Sequence, residues 1–201
     1  MTALTLLALA ASIAAPVPKD FKAKLAAYFP LNNGDEWVYR IDTLRSRVVA
    51  TGVAVKGGVT TGELVTYDGD EGSEREATRQ TLRIDNDGVH CTHMNGKALT
   101  PPYTVLSFDP KRENKWQAEG ELDGKDYLSR WEIVGKEDVE VPAGKFTAVR
   151  VTMSFTVGKL PIAAQLWYAE GVGQVKMTNT GIKGEIVQEL RSYTRGKEAK
   201  K

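Results

Sequence analysis

A single cysteine, Cys91, excludes any disulfide within the chain. Rigidity must come from a packed core, and 201 residues are enough to bury one. Histidine is nearly as scarce. His90 and His93 are the only two, which leaves little for proton transfer or for binding a metal. An excess of one charge is also missing: Lys and Arg total 27 against 26 Asp and Glu, so no basic field is expected to draw nucleic acid. No uninterrupted apolar run reaches the roughly 20 residues of a membrane-spanning helix, so no transmembrane span is expected. A Gly-x-Ser-x-Gly elbow is absent, and Gly171-Val172-Gly173 lacks the third glycine and following helix of a nucleotide loop.

What is present begins with residues 3–15, which are continuously apolar or small and end in Ser12-Ile13-Ala14-Ala15. This pattern predicts a secretory signal over 1–15 and a periplasmic or secreted protein. No cysteine follows the run, so a lipid-anchored N-terminus is not expected. Asp20 can cap a short helix that carries Phe21, Leu25 and Tyr28 on one face.

From Trp37 onward the dominant period is two. Trp37, Tyr39 and Ile41 alternate with Val38, Arg40 and Asp42, while Val149, Val151, Met153, Phe155 and Val157 alternate with polar residues. Asn95-Gly96, Asp123-Gly124 and Pro142-Ala143-Gly144 read as reversals between strands. Phe146 and Ala148 have the opposite parity to Val149, which predicts a bulge near Ala148. Pro101 and Pro102 cannot donate, so the ladder should break there. About eleven or twelve short strands with no βαβ alternation predict a mainly all-β fold. The expected form is an antiparallel meander curled into a half-barrel or barrel-like sheet with one short N-terminal helix. A single domain is expected over 16–194, followed by a disordered Lys-rich tail at 195–201.

The segment Val89-His90-Cys91-Thr92-His93 gathers both imidazoles and the thiol. On a regular strand, Cys91 and His93 share one face and His90 takes the other, so it supplies two ligands at most and no metal site is expected. The acidic run at 68–74 has oxygen ligands at alternate positions but places Gly72 where a calcium loop wants a side chain, and it reads as a solvated turn. Ser107, Ser129 and Ser154 lie in strand contexts with no paired base, and Glu119 with Glu121 fits a solvated strand face. The aromatic residues on strands are different. A curved sheet with a helix across its mouth leaves some of them lining an apolar cavity. The ligand-binding candidates are Leu25, Trp37, Tyr39, Trp131 and Trp167.

Three segments carry a resemblance. They are Tyr28-Phe29-Pro30-Leu31 with Gly34 and Trp37-Val38-Tyr39; Val141-Pro142-Ala143-Gly144-Lys145-Phe146 with Ala148; and Trp167-Tyr168-Ala169-Glu170-Gly171-Val172-Gly173-Gln174-Val175-Lys176. Together they resemble an uncharacterised group of exported bacterial β-proteins, a domain of unknown function distantly like the periplasmic lipoprotein carriers of the Lol and LppX type. The resemblance implies a curved antiparallel sheet with a helical lid and no known enzyme activity, and it brings no catalytic residues.

The expected function is therefore that of an exported, non-enzymatic envelope protein binding an apolar or amphiphilic ligand on the concave face of its sheet. The alternative is a structural or protein-interaction module without a ligand cavity. A lipid or other apolar ligand, or an envelope protein, is the expected partner, with no nucleic acid and no cofactor.

Overall fold

The computed structural model describes residues 27–107, 114–181 and 184–197. The expected signal sequence and the front helix up to residue 26, with Leu25, lie outside the described residues. Twelve strands follow in order: β1 (Glu36–Ile41), β2 (Leu44–Lys56), β3 (Val59–Asp68), β4 (Arg75–Asp85), β5 (Gly88–Met94), β6 (Lys97–Ser107), β7 (Lys115–Leu122), β8 (Lys125–Val141), β9 (Gly144–Val157), β10 (Leu160–Ala169), β11 (Gly173–Gly181) and β12 (Gly184–Thr194). Each is antiparallel to the next, and β12 returns to pair with β1, so the meander is a closed barrel. Trp37 lies opposite Tyr193 and Ile41 opposite Gln188 in that closing pair. The β1–β12 pairing closes the sheet, which rules out the half-barrel form.

Turn chemistry sets the hairpins. Asn95-Gly96 and Asp123-Gly124 both have positive φ at each residue (50° and 76°, 53° and 73°). These are the values of the two-residue turn whose twist matches the flanking strands. The break at the prolines is also present. β6 pairs with β7 only at Leu99 and Thr100, and with β5 its register jumps from Ala98 to Tyr103.

The expected bulge lies elsewhere. It is on β8, where Ile133 faces Val151 and Gly135 faces Arg150, leaving Val134 as the extra residue. The parity change at Ala148 arises because the β8–β9 hairpin folds over the barrel end. Ala143 donates its N–H to the Leu190 carbonyl at 2.9 Å, and Ala148 and Val149 are both fully buried.

The barrel has two unlike ends. At one, segment 27–35 crosses beneath the strands: Gly171 donates its N–H to Ala27 O, Gly34 donates its N–H to Ala50 O, and Tyr28 and Leu31 are buried. The fully buried aliphatic side chains Val89, Leu106, Ile133, Val151, Val175 and Leu190 fill this capped half. Burial of each contributes roughly 1.5–3 kcal/mol. The opposite end carries the β1–β2, β3–β4, β9–β10 and β11–β12 turns and is the mouth. Twelve strands enclose more space than side chains of this size fill, so the interior toward the mouth is hollow.

The tail departs from expectation. Arg195 to Lys197 are described, and Gly196 and Lys197 donate backbone N–H groups to Asp35 Oδ1 (2.7 Å) and Asn33 O (3.0 Å). The chain is held here because these donors meet acceptors of the N-terminal segment. Residues 198–201 lie outside the described residues.

Candidate functional site

The cavity occupies about 540 Å³ and is lined by residues from eleven strands, all but β7, together with Phe29 and Pro30. That volume falls within the roughly 300–1,000 Å³ typical of small-molecule sites. Inward parity is read from the strands themselves. Trp37, Tyr39 and Ile41 on β1, Ser46 and Val48 on β2, and Leu166 and Tyr168 on β10 alternate with outward neighbours.

One wall is aromatic. Tyr103 stacks on Trp131 with centroids 6.1 Å apart and planes 16° from parallel, and Phe155 touches both Tyr103 (5.3 Å) and Tyr127 (5.7 Å). Tyr39 donates its hydroxyl to Gln174 O at 2.9 Å, and Trp37 donates Nε1–H to Val172 O at 2.6 Å. Both side chains thus lie fixed against the wall with their rings toward the interior. Burial drives the phenols of Tyr39, Tyr103 and Tyr168 above the ordinary tyrosine range, so they stay neutral donors.

The facing wall is mixed, with polar side chains set among Val48, Leu64 and Leu82. On β2, β3 and β4, Ser46 pairs with Asp68, Thr66 with Thr78, and Leu64 with Gln80. The side chains of Ser46, Thr66, Thr78, Gln80 and, from β12, Gln188 all line the cavity. At the mouth the wall turns aliphatic. Leu44, Leu160, Ile162 and Ile186 are the large exposed hydrophobic side chains among the described residues, at 66, 58, 37 and 38% exposure. Leu44 has the parity of Ser46, Leu160 and Ile162 that of Leu166, and Ile186 that of Gln188, so all four carry the inward face out to the rim.

Of the residues singled out from sequence, Trp37, Tyr39 and Trp131 come together in this cavity. Leu25 lies outside the described residues. Trp167 does not line the cavity. Its neighbours Leu166 and Tyr168 take the inward positions, and Trp167 lies on the outer face. There it donates Nε1–H to Glu137 Oε1 at 2.6 Å, beneath the Lys176 ammonium 5.8 Å from its ring. Tyr103, Phe155 and Tyr168 complete the aromatic wall. The alternation around Phe155 and Tyr168 is the signal that could have found them, whereas Ser46, Thr78 and Gln80 look like solvent-facing residues in sequence.

The His-Cys-His segment is not assembled into a site. Thr92 is an extra residue: Leu82 faces Cys91 while Thr81 faces His93, so a bulge separates two side chains that a regular strand would align. Cys91 is buried, His93 exposed, and His90 lies between Asp85 (3.2 Å) and Thr104 (3.2 Å). Burial pushes the Cys91 thiol up to about 11. In the acidic turn, Glu74 is taken by Arg45 and by both Nε and Nη2 of Arg47. Among the described residues, no group of three or more His, Cys, Asp or Glu is placed to hold a metal ion, and no helix is long and apolar enough to cross a membrane.

No protein-family model matches the sequence, and no curated protein matches it. Two solved structures are similar. A candidate lipoprotein from Parabacteroides distasonis superposes with a TM-score of 0.57 at 14% identity, over 83% of this chain and 98% of that one. A candidate exported protein with a YmcC-like fold from Bacteroides fragilis gives a TM-score of 0.49 at 13% identity, over the same 83% and 98%. The first likeness is one of fold alone, since the two sequences share only 14% identity.

Proposed function

We propose that this protein is an exported, non-enzymatic envelope protein that takes an apolar or amphiphilic ligand into its barrel. The observation that carries this reading is the cavity itself, aromatic on one wall, with hydroxyls and carboxamides among aliphatic side chains on the other, and rimmed by Leu44, Leu160, Ile162 and Ile186. An apolar chain gains by leaving water for the aromatic wall, while a polar head can bond the hydroxyls and amides opposite. The aliphatic rim offers the chain cover as it passes the mouth. Export is supported by the apolar run at 3–15, and the Parabacteroides protein of similar fold is itself a candidate lipoprotein.

The test is titration with N-phenyl-1-naphthylamine, an uncharged probe that brightens in apolar surroundings. Micromolar binding is expected in the parent protein. It should be lost in Thr66→Trp, where an indole fills the cavity, provided that thermal melting shows the variant folded. No binding by the parent protein would falsify the reading and favour a module that works through its outer surface.

A further inference from the structure

We infer that the cavity selects an amphiphile whose head group is uncharged or cationic, and rejects an anionic one. This rests on the ligand-binding reading above and narrows it to a chemical class.

The wall opposite the aromatic one carries hydroxyls and carboxamides, and the charged side chain lining the cavity is that of Asp68. Among the described residues no Lys, Arg or His lines it. Arg47, Arg79 and Lys176 on the surrounding strands are directed outward by parity and are held there, while Arg75, which pairs with Asp68 across the end of the β3–β4 ladder, stays outside the lining. Arg47 on β2 alternates with the inward Ser46 and Val48, and it binds Glu74 and Glu36. Arg79 on β4 alternates with Thr78 and Gln80, and it binds Glu63 and Glu76. Lys176 on β11 precedes the inward Met177 and reaches Glu189 at 3.5 Å. Each inward neighbour lines the cavity while its cation faces away.

A carboxylate, sulfate or phosphate head drawn to this wall would lose water without meeting a countercharge, and it would approach the Asp68 carboxylate at the end of β3. A glycerol or other hydroxylated head meets donors and acceptors alike in Ser46, Thr66, Thr78 and Gln80. An ammonium head adds attraction to Asp68. The aromatic wall also offers ring faces to a cation.

The experiment is calorimetric titration of the full chain at low ionic strength and mildly alkaline pH. The ligands are three with matched ten-carbon chains, all below their micelle concentrations: decanoate, 1-monodecanoylglycerol and decyltrimethylammonium. Decanoate is expected to bind about tenfold more weakly than either of the others. In Asp68→Asn the ratio of cation to decanoate affinity should fall by about threefold, as suits an exposed charge at the mouth. Decanoate within about threefold of the other two overturns the inference and leaves the ligand-binding reading in place. If none of the three binds, the ligand-binding reading fails and this inference falls with it.

Discussion

The side chain of Asp35 accepts the backbone N–H of Gly196 at 2.7 Å across 161 residues of chain. The same carboxylate accepts the Asn32 N–H at 2.7 Å, the Asn32 amide at 3.1 Å and the Tyr193 hydroxyl at 3.2 Å, and it is fully buried. One side chain thereby holds the start of β1, the end of β12 and the segment beneath the barrel. This is the place where the sheet must be closed on itself.

Two substitutions test this clasp. Asp35→Ala leaves several donors without an acceptor and should cost about 3 kcal/mol in urea unfolding. In Gly196→Ala, the added methyl carbon would sit 2.4 Å from Asn33 O and from Asp35 N, both backbone atoms that cannot step aside. A loss of about 2 kcal/mol is expected. Parent-like stability in both variants would show that closure does not depend on the clasp.

The seam between β6 and β7 rests on side chains in place of a ladder. Beyond Leu99 and Thr100 no backbone pairs join these strands among the described residues. Instead, Trp116 donates Nε1–H to Thr104 O at 2.8 Å, and Tyr127 on β8 donates its hydroxyl to Pro101 O. Trp116→Phe and Tyr127→Phe should each lower stability by about 1–2 kcal/mol. Amide hydrogen exchange should accelerate in β6 and β7 before it does in β2 and β3. Uniform acceleration around the barrel would contradict a local seam.

Cys91 should be chemically silent in the folded protein. Its thiol is buried, donates to the His93 carbonyl at 3.3 Å and is pushed up to about 11 by burial. The reactive thiolate is therefore scarce and shielded at neutral pH. Reaction with a disulfide reagent at mildly alkaline pH should proceed at the unfolding rate and become immediate in denaturant. Rapid labelling of the native protein would place the thiol at an accessible surface.

Acid should weaken the turn between β3 and β4. Hydrogen bonds from Arg47, and then from Arg45, hold the Glu74 carboxyl below its ordinary range. A depressed folded-state pKa supplies stability that is complete above the unfolded value and is lost as pH falls through the folded one. The melting-temperature gap between the parent and Glu74→Gln should therefore be widest near neutrality and close in acid. A gap that persists at low pH would assign the effect to packing.

Much of the strand order is legible in sequence because its causes are local. Trp37, Tyr39 and Ile41 share a face by alternation alone, and Asn95-Gly96 and Asp123-Gly124 turn because their residues tolerate positive φ. Other features depend on partners that sequence does not place. The bulge at Thr92 that parts Cys91 from His93 exists only in register with β4. Ser46, Thr78 and Gln80 look solvent-facing until closure turns them into the interior. Gly196 looks like part of a loose tail until Asn33 and Asp35 come within reach.

Side-chain alternation and turn preference, written in the sequence itself, determined a meander of two-faced strands. Which face became the inside, and that β12 would meet β1, was decided by tertiary structure. A period of two separates two faces but does not say which is buried. Pairing Glu36 with Thr194 depends on the summed twist, bulges and turns of every strand between them.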